Sequence, residues 1–177
     1  MQASELERLF NDWARPRWQT RLAGGYDEPL YLPVSETGAG EAEIRYREDS
    51  VNSALHEIAH WMIAGARRRQ QVDYGYWYAP DGRDAAQQAE FERLEVRPQA
   101  LEWWMAEKLG VRFWVSADNL AAGIGPSPAF CESVAREAAR MAAGEGIPPR
   151  ARDWVGHLER HGYAQRVLPA LFTTKRL

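Results

Sequence analysis

The residues best suited to chemistry are two histidines and a glutamate in an apolar segment, with the pattern His56-Glu57-Ile-Ala-His60. On a helix, residues four apart lie on one face, so both imidazoles can offer a nitrogen to a single metal ion. Glu57 lies about 100° around the helix from His56, where it can act as a general base or orient bound water. The pattern therefore predicts a metal helix. The alternative is a pair of histidines that form hydrogen bonds within a core.

A third ligand is expected from acidic residues further along the chain, and the candidates are Glu92, Glu95 and Glu102. Residues 85–109 have helical composition, but Pro98 predicts an interruption because proline disfavours helix at the residue before it. Glu95 has an apolar neighbour on each side, and a buried carboxylate at that position would need a cation. We therefore expect Glu95 to turn inward beside the break and to complete the metal site. Exposed helical acids are the alternative.

Three aspartates follow the metal helix in a stretch rich in aromatic residues and turn formers: Asp73, Asp81 and Asp84. The residues from Val72 onwards predict a strand that turns sharply around Asp81. Such a turn can direct the acidic side chains towards the metal helix. Solvated loop acids are the competing interpretation.

Strand and helix patterns near the motif predict the elements that must position it. Alternating apolar residues predict a strand over residues 42–47, and residues 113–116 are a further strand candidate. The metal helix is placed over residues 51–66, with Asp49 or Ser50 as its N-cap. The whole pattern indicates an α+β fold in which several helices pack on a small sheet.

Further helices are expected at both ends of the chain. A first helix is predicted to end at Pro16, and two more are expected over residues 128–143 and 149–161. The last of these carries His157 and His161, which are also four apart. They lack the glutamate that follows His56, so we interpret them as surface histidines.

Composition limits the class of protein. The chain has 177 residues, which favours one domain spanning residues 1–177, and its 22 basic and 25 acidic side chains give a net charge of −3. That charge gives no general attraction to nucleic acid or to anionic membranes. Cys131 is the only cysteine, and no apolar run approaches the length of about 20 residues that spans a bilayer. We therefore expect a cytoplasmic protein with neither nucleic acid nor membrane as a partner.

Several motifs taken together resemble the elongation factor P hydroxylase family, over roughly residues 20 to 120. The stretches that carry the resemblance are Asp27-Glu-Pro-Leu-Tyr-Leu-Pro33, His56-Glu-Ile-Ala-His-Trp61, Asp73-Tyr-Gly-Tyr-Trp-Tyr78, Pro80-Asp-Gly-Arg-Asp84, Glu95-Val-Arg-Pro-Gln-Ala-Leu-Glu-Trp103 and Asp118-Asn-Leu120. The C-terminal third of the chain is a looser match. In combination these motifs are far more specific than the two histidines and the glutamate alone.

The resemblance implies a non-haem iron monooxygenase whose fold is related to zinc metalloproteases but whose reaction differs. Its protein substrate is expected to be elongation factor P carrying a β-lysylated lysine, and its metal Fe(II), held by His56, His60 and Glu95. Glu57 is expected to orient bound water or to move a proton. Asp81 or Asp84 is expected to bind an ammonium group of the modified lysine.

Two other functions remain open from the residues alone. The same three ligands suit zinc, and Glu57 then becomes the general base of a metallopeptidase. A non-catalytic module could instead keep the metal for stability and bind a partner protein. The glycines at 24–25 and 123–125 lack the spacing of a dinucleotide-binding loop.

Overall fold

A computed structural model of the chain describes residues 1–75, 82–117, 119, 123, 125–163 and 165–177. Within these ranges it is an α+β structure, as the sequence predicts. Its helices and strands in chain order are α1 (Ala3–Trp18), β1 (Thr20–Tyr26), β2 (Leu30–Leu32), α2 (Val34–Thr37), β3 (Ala42–Arg47), α3 (Val51–Ile63), α4 (Ala85–Leu109), α5 (Pro128–Ala142) and α6 (Pro149–Arg160). Short 3-10 turns cover Arg68–Gln70, Val72–Gly75, Pro169–Leu171 and Thr174–Arg176.

The strands β1, β2 and β3 form one small mixed sheet with β3 in the middle. β1 runs parallel to β3 and β2 runs antiparallel to it. The predicted strand over residues 42–47 is therefore confirmed as β3. Ile44 and Tyr46 are buried on this strand, and α3 packs against it, so the sheet supports the metal helix from behind.

The metal helix α3 begins where the sequence predicts. Ser50 is its N-cap, and its hydroxyl accepts a hydrogen bond from the backbone N–H of Ser53 at 3.2 Å. The helix ends at Ile63, three residues before the predicted end at residue 66. Gly65 lies just beyond this point, and glycine disfavours continuation of a helix.

A buried arginine from α6 satisfies the carbonyl groups at the end of α3. Nη2 of Arg150 donates hydrogen bonds to the carbonyl oxygens of Trp61 at 2.8 Å and Met62 at 3.0 Å, and also to that of Ala64. Its guanidinium carbon lies 4.6 Å from the centre of the Trp61 ring. A cation at a helix C-terminus also complements the helix dipole, so Arg150 fixes the end of the metal helix.

An aromatic cluster joins α1, α3 and α6 behind the metal helix. Phe10, Trp13, Trp61 and Trp154 are all fully buried, and the ring centres of Phe10 and Trp13 lie 5.2–6.0 Å from each other and from those of the other two, in edge-on or tilted contacts. These large side chains dominate the energy of burial in this part of the core. They hold three distant segments of the chain together.

The predicted break of the helix at Pro98 is wrong. The helix α4 runs without interruption from Ala85 to Leu109, with Pro98 buried inside it. A proline removes one backbone hydrogen bond and costs about 3 kcal/mol in a helix interior. Here the second half of α4 is almost entirely buried, and that burial offsets the loss. The first helix behaves similarly, because α1 continues through Pro16 to Trp18.

Two predicted strands are absent from the described residues. Residues 113–116 are irregular because the side chain of Gln99 takes the place of a strand partner: it donates to the carbonyl of Ser116 at 2.8 Å and accepts from its N–H at 3.0 Å. The aromatic stretch begins with the 3-10 turn Val72–Gly75 and not with a strand. Its continuation through residues 76–81 lies outside the described part of the chain.

The C-terminal helices form close to their predicted positions, as α5 and α6. The prediction that both histidines of the last helix lie at the surface is wrong for His157, which is 8% exposed and stacks on Trp154. His161 is exposed. No helix among the described residues is both long enough and apolar enough to cross a lipid bilayer.

Candidate metal centre and active-site cavity

The two histidines and the glutamate predicted as ligands come together on the facing surfaces of α3 and α4. Nε2 of His56 lies 3.0 Å from Nε2 of His60. Glu95 reaches both rings from α4, with carboxylate oxygens 3.6 Å from Nε2 of His56 and 3.4 Å from Nε2 of His60. The Glu95 side chain is 2% exposed, so the acid lies in the interior as expected.

These separations fit a single ion. Two atoms that each lie about 2.1 Å from one ion are roughly 3.0–3.4 Å apart at an angle of about 90–110°. The three observed separations lie at or close to this range, and one donor atom from each residue can be chosen so that all lie within 4.8 Å of one another. Two imidazoles and one carboxylate on one side of an ion are a donor set used by iron, zinc and related metals. The residues present therefore fit a catalytic metal.

A second acid on α4 orients the first histidine. Oε2 of Glu102 lies 2.9 Å from Nδ1 of His56, and Glu102 is only 6% exposed. A carboxylate on the outer nitrogen of a ligand histidine fixes the ring and makes its inner nitrogen a stronger donor. Glu102 was one of three ligand candidates, and the structure gives it this supporting position. Glu92 instead binds the N–H and hydroxyl of Ser127 at the start of α5.

The acids around the histidines determine where a proton lies when no metal is bound. Burial lowers the pKa of His56, but the hydrogen bond to Glu102 and the charges of Glu102, Glu95 and Glu57 outweigh it and raise the pKa to about 10. The metal-free protein therefore holds a protonated His56 at neutral pH. A metal ion must displace the proton on Nε2 to bind there.

Glu57 lines the same cavity as the three ligand candidates, between the two histidines in sequence. Burial raises the pKa of its carboxyl; the histidines oppose this effect, while the charges of Glu95 and Asp73 add to it. A carboxyl group with a raised pKa is a better proton acceptor than an ordinary glutamate and can return the proton afterwards. This position suits the proton-transfer role expected from the sequence.

The cavity in front of the metal site has a volume of about 630 Å³. This volume is within the range of roughly 300–1,000 Å³ that is typical of pockets for small ligands. Phe91, Tyr74 and Trp114 supply apolar walls, and Trp114 is 53% exposed, so it lies at the opening. The cavity can admit a long side chain from solvent to the metal site.

One wall of the cavity has an unusual backbone. Asp73 and Tyr74 both have left-handed conformations, with φ of 47° and 59°, and Gly75 follows with φ of 66°. Conformations of this kind cost of order 1–3 kcal/mol for non-glycine residues and cluster at functional sites. The ring of Tyr74 stacks on Tyr31 at 4.3 Å, and its plane is also nearly parallel to that of His60 at 6.5 Å.

Of the two acids predicted to bind substrate, only Asp84 lies in the described part of the chain, and Asp81 lies outside it. Asp84 is exposed and caps α4: its carboxylate accepts a hydrogen bond from the N–H of Gln87 at 2.9 Å, and the side chain of Gln87 accepts one from the Asp84 N–H. It is not among the residues that line the cavity. Its predicted contact with substrate stays a prediction.

The sequence indicated two further residues of the site, Glu102 and Asp73, less clearly. Glu102 lies seven residues after Glu95, and residues seven apart on an unbroken helix share a face. This spacing would have indicated a paired role for the two acids if α4 had been expected to continue through Pro98. Asp73 lines the cavity, but it does so through a left-handed turn and not through the predicted strand with its turn around Asp81.

Comparison with known proteins shows the family of the chain. The family model described as elongation factor P hydroxylase matches residues 9–171. This range includes His56, His60 and Glu95 as well as Glu57 and Glu102. A protein of Haemophilus influenzae named elongation factor P lysine hydroxylase is 45% identical over 147 residues, covering 83% of this chain and 82% of the relative. The chain belongs to the elongation factor P hydroxylase family.

Proposed function

We propose that this protein is a metal-dependent monooxygenase that hydroxylates the β-lysylated lysine of elongation factor P. The observation that carries the proposal is the arrangement of His56, His60 and Glu95 in a chain that belongs to this family. The relative from Haemophilus influenzae is named for the lysine of the same factor. One oxygen atom of dioxygen enters a C–H bond and the other leaves as water, with two electrons and two protons supplied through an external reductant.

Three side chains would hold the metal and leave positions beside it for dioxygen and water. His56 and His60 contribute Nε2 atoms and Glu95 contributes a carboxylate. Fe(II) bound there would supply the activation of dioxygen. Glu102 keeps the His56 ring in place through the 2.9 Å hydrogen bond to Nδ1. The placement of these donors on two packed helices makes the site rigid.

Glu57 transfers protons during the reaction. Its carboxyl lies in the cavity beside the two histidines, and burial raises its pKa. It can therefore deliver a proton to the oxygen atom that leaves as water and then recover one from solvent. The exposed opening at Trp114 provides the path to solvent.

Iron is proposed as the metal because the reaction requires a redox-active ion, whereas zinc has no redox chemistry. The donor set alone suits either metal. Metal analysis of protein purified without added metal, followed by activity measurements after reconstitution with Fe(II) or Zn(II), distinguishes them. Activity restored by Fe(II) alone supports the proposal.

The direct test is mass spectrometry of elongation factor P that already carries the β-lysyl group. Incubation with the iron-loaded protein, dioxygen and a chemical reductant is expected to add the mass of one oxygen atom to the modified peptide. The oxygen is expected to come from labelled dioxygen and not from labelled water. Cleavage of the factor by the zinc-loaded protein, without oxygen incorporation, would instead identify a peptidase.

A further inference from the structure

The cavity wall carries more negative charge than the metal site requires. Apart from Glu95 and Glu102, three further acids line it, namely Glu28, Glu57 and Asp73. Arg47 is the only lysine or arginine among the described lining residues. A cavity with this balance favours a cationic ligand.

Asp73 is the acid that best suits such a ligand, because a hydrogen bond holds one oxygen of its carboxylate in place while the other oxygen is available. Its Oδ1 accepts a hydrogen bond from the backbone N–H of Tyr31 at 2.8 Å, which sets the direction of the carboxylate. Its Oδ2 has no hydrogen-bond or ion-pair partner among the residues that the structure describes. Burial raises the pKa of Asp73, while the Tyr31 hydrogen bond and the charge of His60 oppose the rise, so these two contacts do not fully offset the cost of burial. A cation from outside the protein would reduce this cost.

Tyr74 provides a second and independent indication on the same wall. The residue is 3% exposed, and its hydroxyl is buried without a hydrogen-bond partner in the described part of the chain. Burial raises the pKa of Tyr74 well above its usual value, and the charges of Glu57 and Asp73 contribute. A buried hydroxyl without a partner destabilises the folded protein, because the group has lost its hydrogen bonds to water. An ammonium group has three donors and no acceptor, so it can donate both to a carboxylate oxygen and to a phenolic oxygen.

We propose that Asp73 binds the terminal ammonium group of the lysine-type side chain that enters the cavity, and so determines specificity for a cationic substrate. The inference rests on the proposed function and identifies the residue that recognises its substrate. Glu57 is a weaker candidate because it lies between the two ligand histidines, where it serves proton transfer. Glu28 is exposed, and solvent screens the attraction of an exposed carboxylate.

The test is a binding measurement with the full chain loaded with Zn(II), so that no turnover occurs. One probe is a peptide of elongation factor P carrying the β-lysyl-lysine. The other is a matched peptide in which a methyl group replaces the terminal ammonium. The wild-type protein is expected to bind the cationic peptide about 10- to 100-fold more tightly, as a charged hydrogen bond allows.

The variant Asp73→Asn is expected to lose this preference by weakening the binding of the cationic peptide and leaving the neutral peptide unchanged. Asparagine keeps the acceptor for the Tyr31 N–H and tolerates the left-handed backbone, so the fold and the zinc content should be retained. Glu28→Gln removes an equal charge from the same cavity. Asp84→Asn removes the charge of an acid that the sequence predicted to bind the ammonium group, and asparagine remains a good N-cap for α4. Both controls should preserve the wild-type ratio.

Retention of the wild-type ratio by Asp73→Asn would overturn the proposal, and so would an equal loss in Glu28→Gln or Asp84→Asn. If the wild-type protein hydroxylates the factor while Asp73→Asn retains the preference, only the assignment of Asp73 fails. If the wild-type protein neither distinguishes the two peptides nor adds oxygen to the factor, both the assignment of Asp73 and the proposed function fail.

Discussion

Nδ1 of His56 and Oε2 of Glu102 lie 2.9 Å apart across the interface between α3 and α4. This hydrogen bond leaves the Nε2 atom of the same ring facing His60 and Glu95. Removing the acid would free the ring to rotate and would weaken its donor nitrogen. Glu102 is therefore as much a part of the site as His56, His60 and Glu95.

Glu102→Gln is expected to lower the metal affinity of the deprotonated His56 site about 10- to 100-fold, because glutamine still accepts a hydrogen bond but carries no charge. Competition with a chromophoric chelator over a range of pH separates this affinity from the competing protonation of His56. Glu90→Gln makes the same chemical change at an exposed position of the same helix and should have no effect. An unchanged affinity in Glu102→Gln would exclude the supporting role.

Metal binding is expected to release a proton from His56 and to become tighter as the pH rises. The pKa of His56 in the metal-free protein is about 10, so the displaced proton costs binding energy at every pH below that value. This group alone makes the affinity rise about tenfold per pH unit towards pH 10. Calorimetric titrations in buffers with different heats of ionisation count the protons. Glu102→Gln should release fewer protons at neutral pH, because the carboxylate of Glu102 no longer raises the pKa of His56.

Glu57→Gln is expected to retain the metal but to lower the rate of hydroxylation about 10²- to 10⁴-fold, which is the usual contribution of a positioned acid or base. Metal content and the rate of oxygen incorporation are measured on the same preparation. A variant that binds metal and turns over at the wild-type rate would show that Glu57 moves no proton in the slow step.

Arg150→Met is expected to lower the free energy of unfolding by about 3 kcal/mol, because the buried carbonyls at the end of α3 lose their donor. Denaturant titration of the metal-free protein measures the change. Arg152→Met is the matched control, since Arg152 is exposed on the same helix. Equal stability of the two variants would mean that Arg150 does not fix the metal helix.

The two histidines of the site could be predicted from the sequence because their spacing matches one turn of a helix. His56 and His60 are four apart, and no other element has to be placed to bring them onto one face. Glu95 was also identified, but for a reason that the structure corrects, since α4 does not break at Pro98. Burial in the packed interior turns Glu95 towards the histidines, and a helix break is not needed.

Contacts that depend on packing gave no local signal. The hydrogen bond from Tyr31 to Asp73 joins residues far apart in the sequence and depends on a left-handed turn of non-glycine residues, which propensity disfavours. Residues 113–116 have the composition of a strand, but Gln99 satisfies part of their backbone. Such an exchange of a strand partner for a side chain is visible only in three dimensions.

A single metal ion between α3 and α4 can be located by diffraction from crystals of the iron-loaded protein at the iron absorption edge. We expect one strong anomalous peak at about 2.0–2.2 Å from Nε2 of His56, Nε2 of His60 and a carboxylate oxygen of Glu95. A peak coordinated without Glu95, or no peak between the two helices of fully loaded protein, would contradict this expectation.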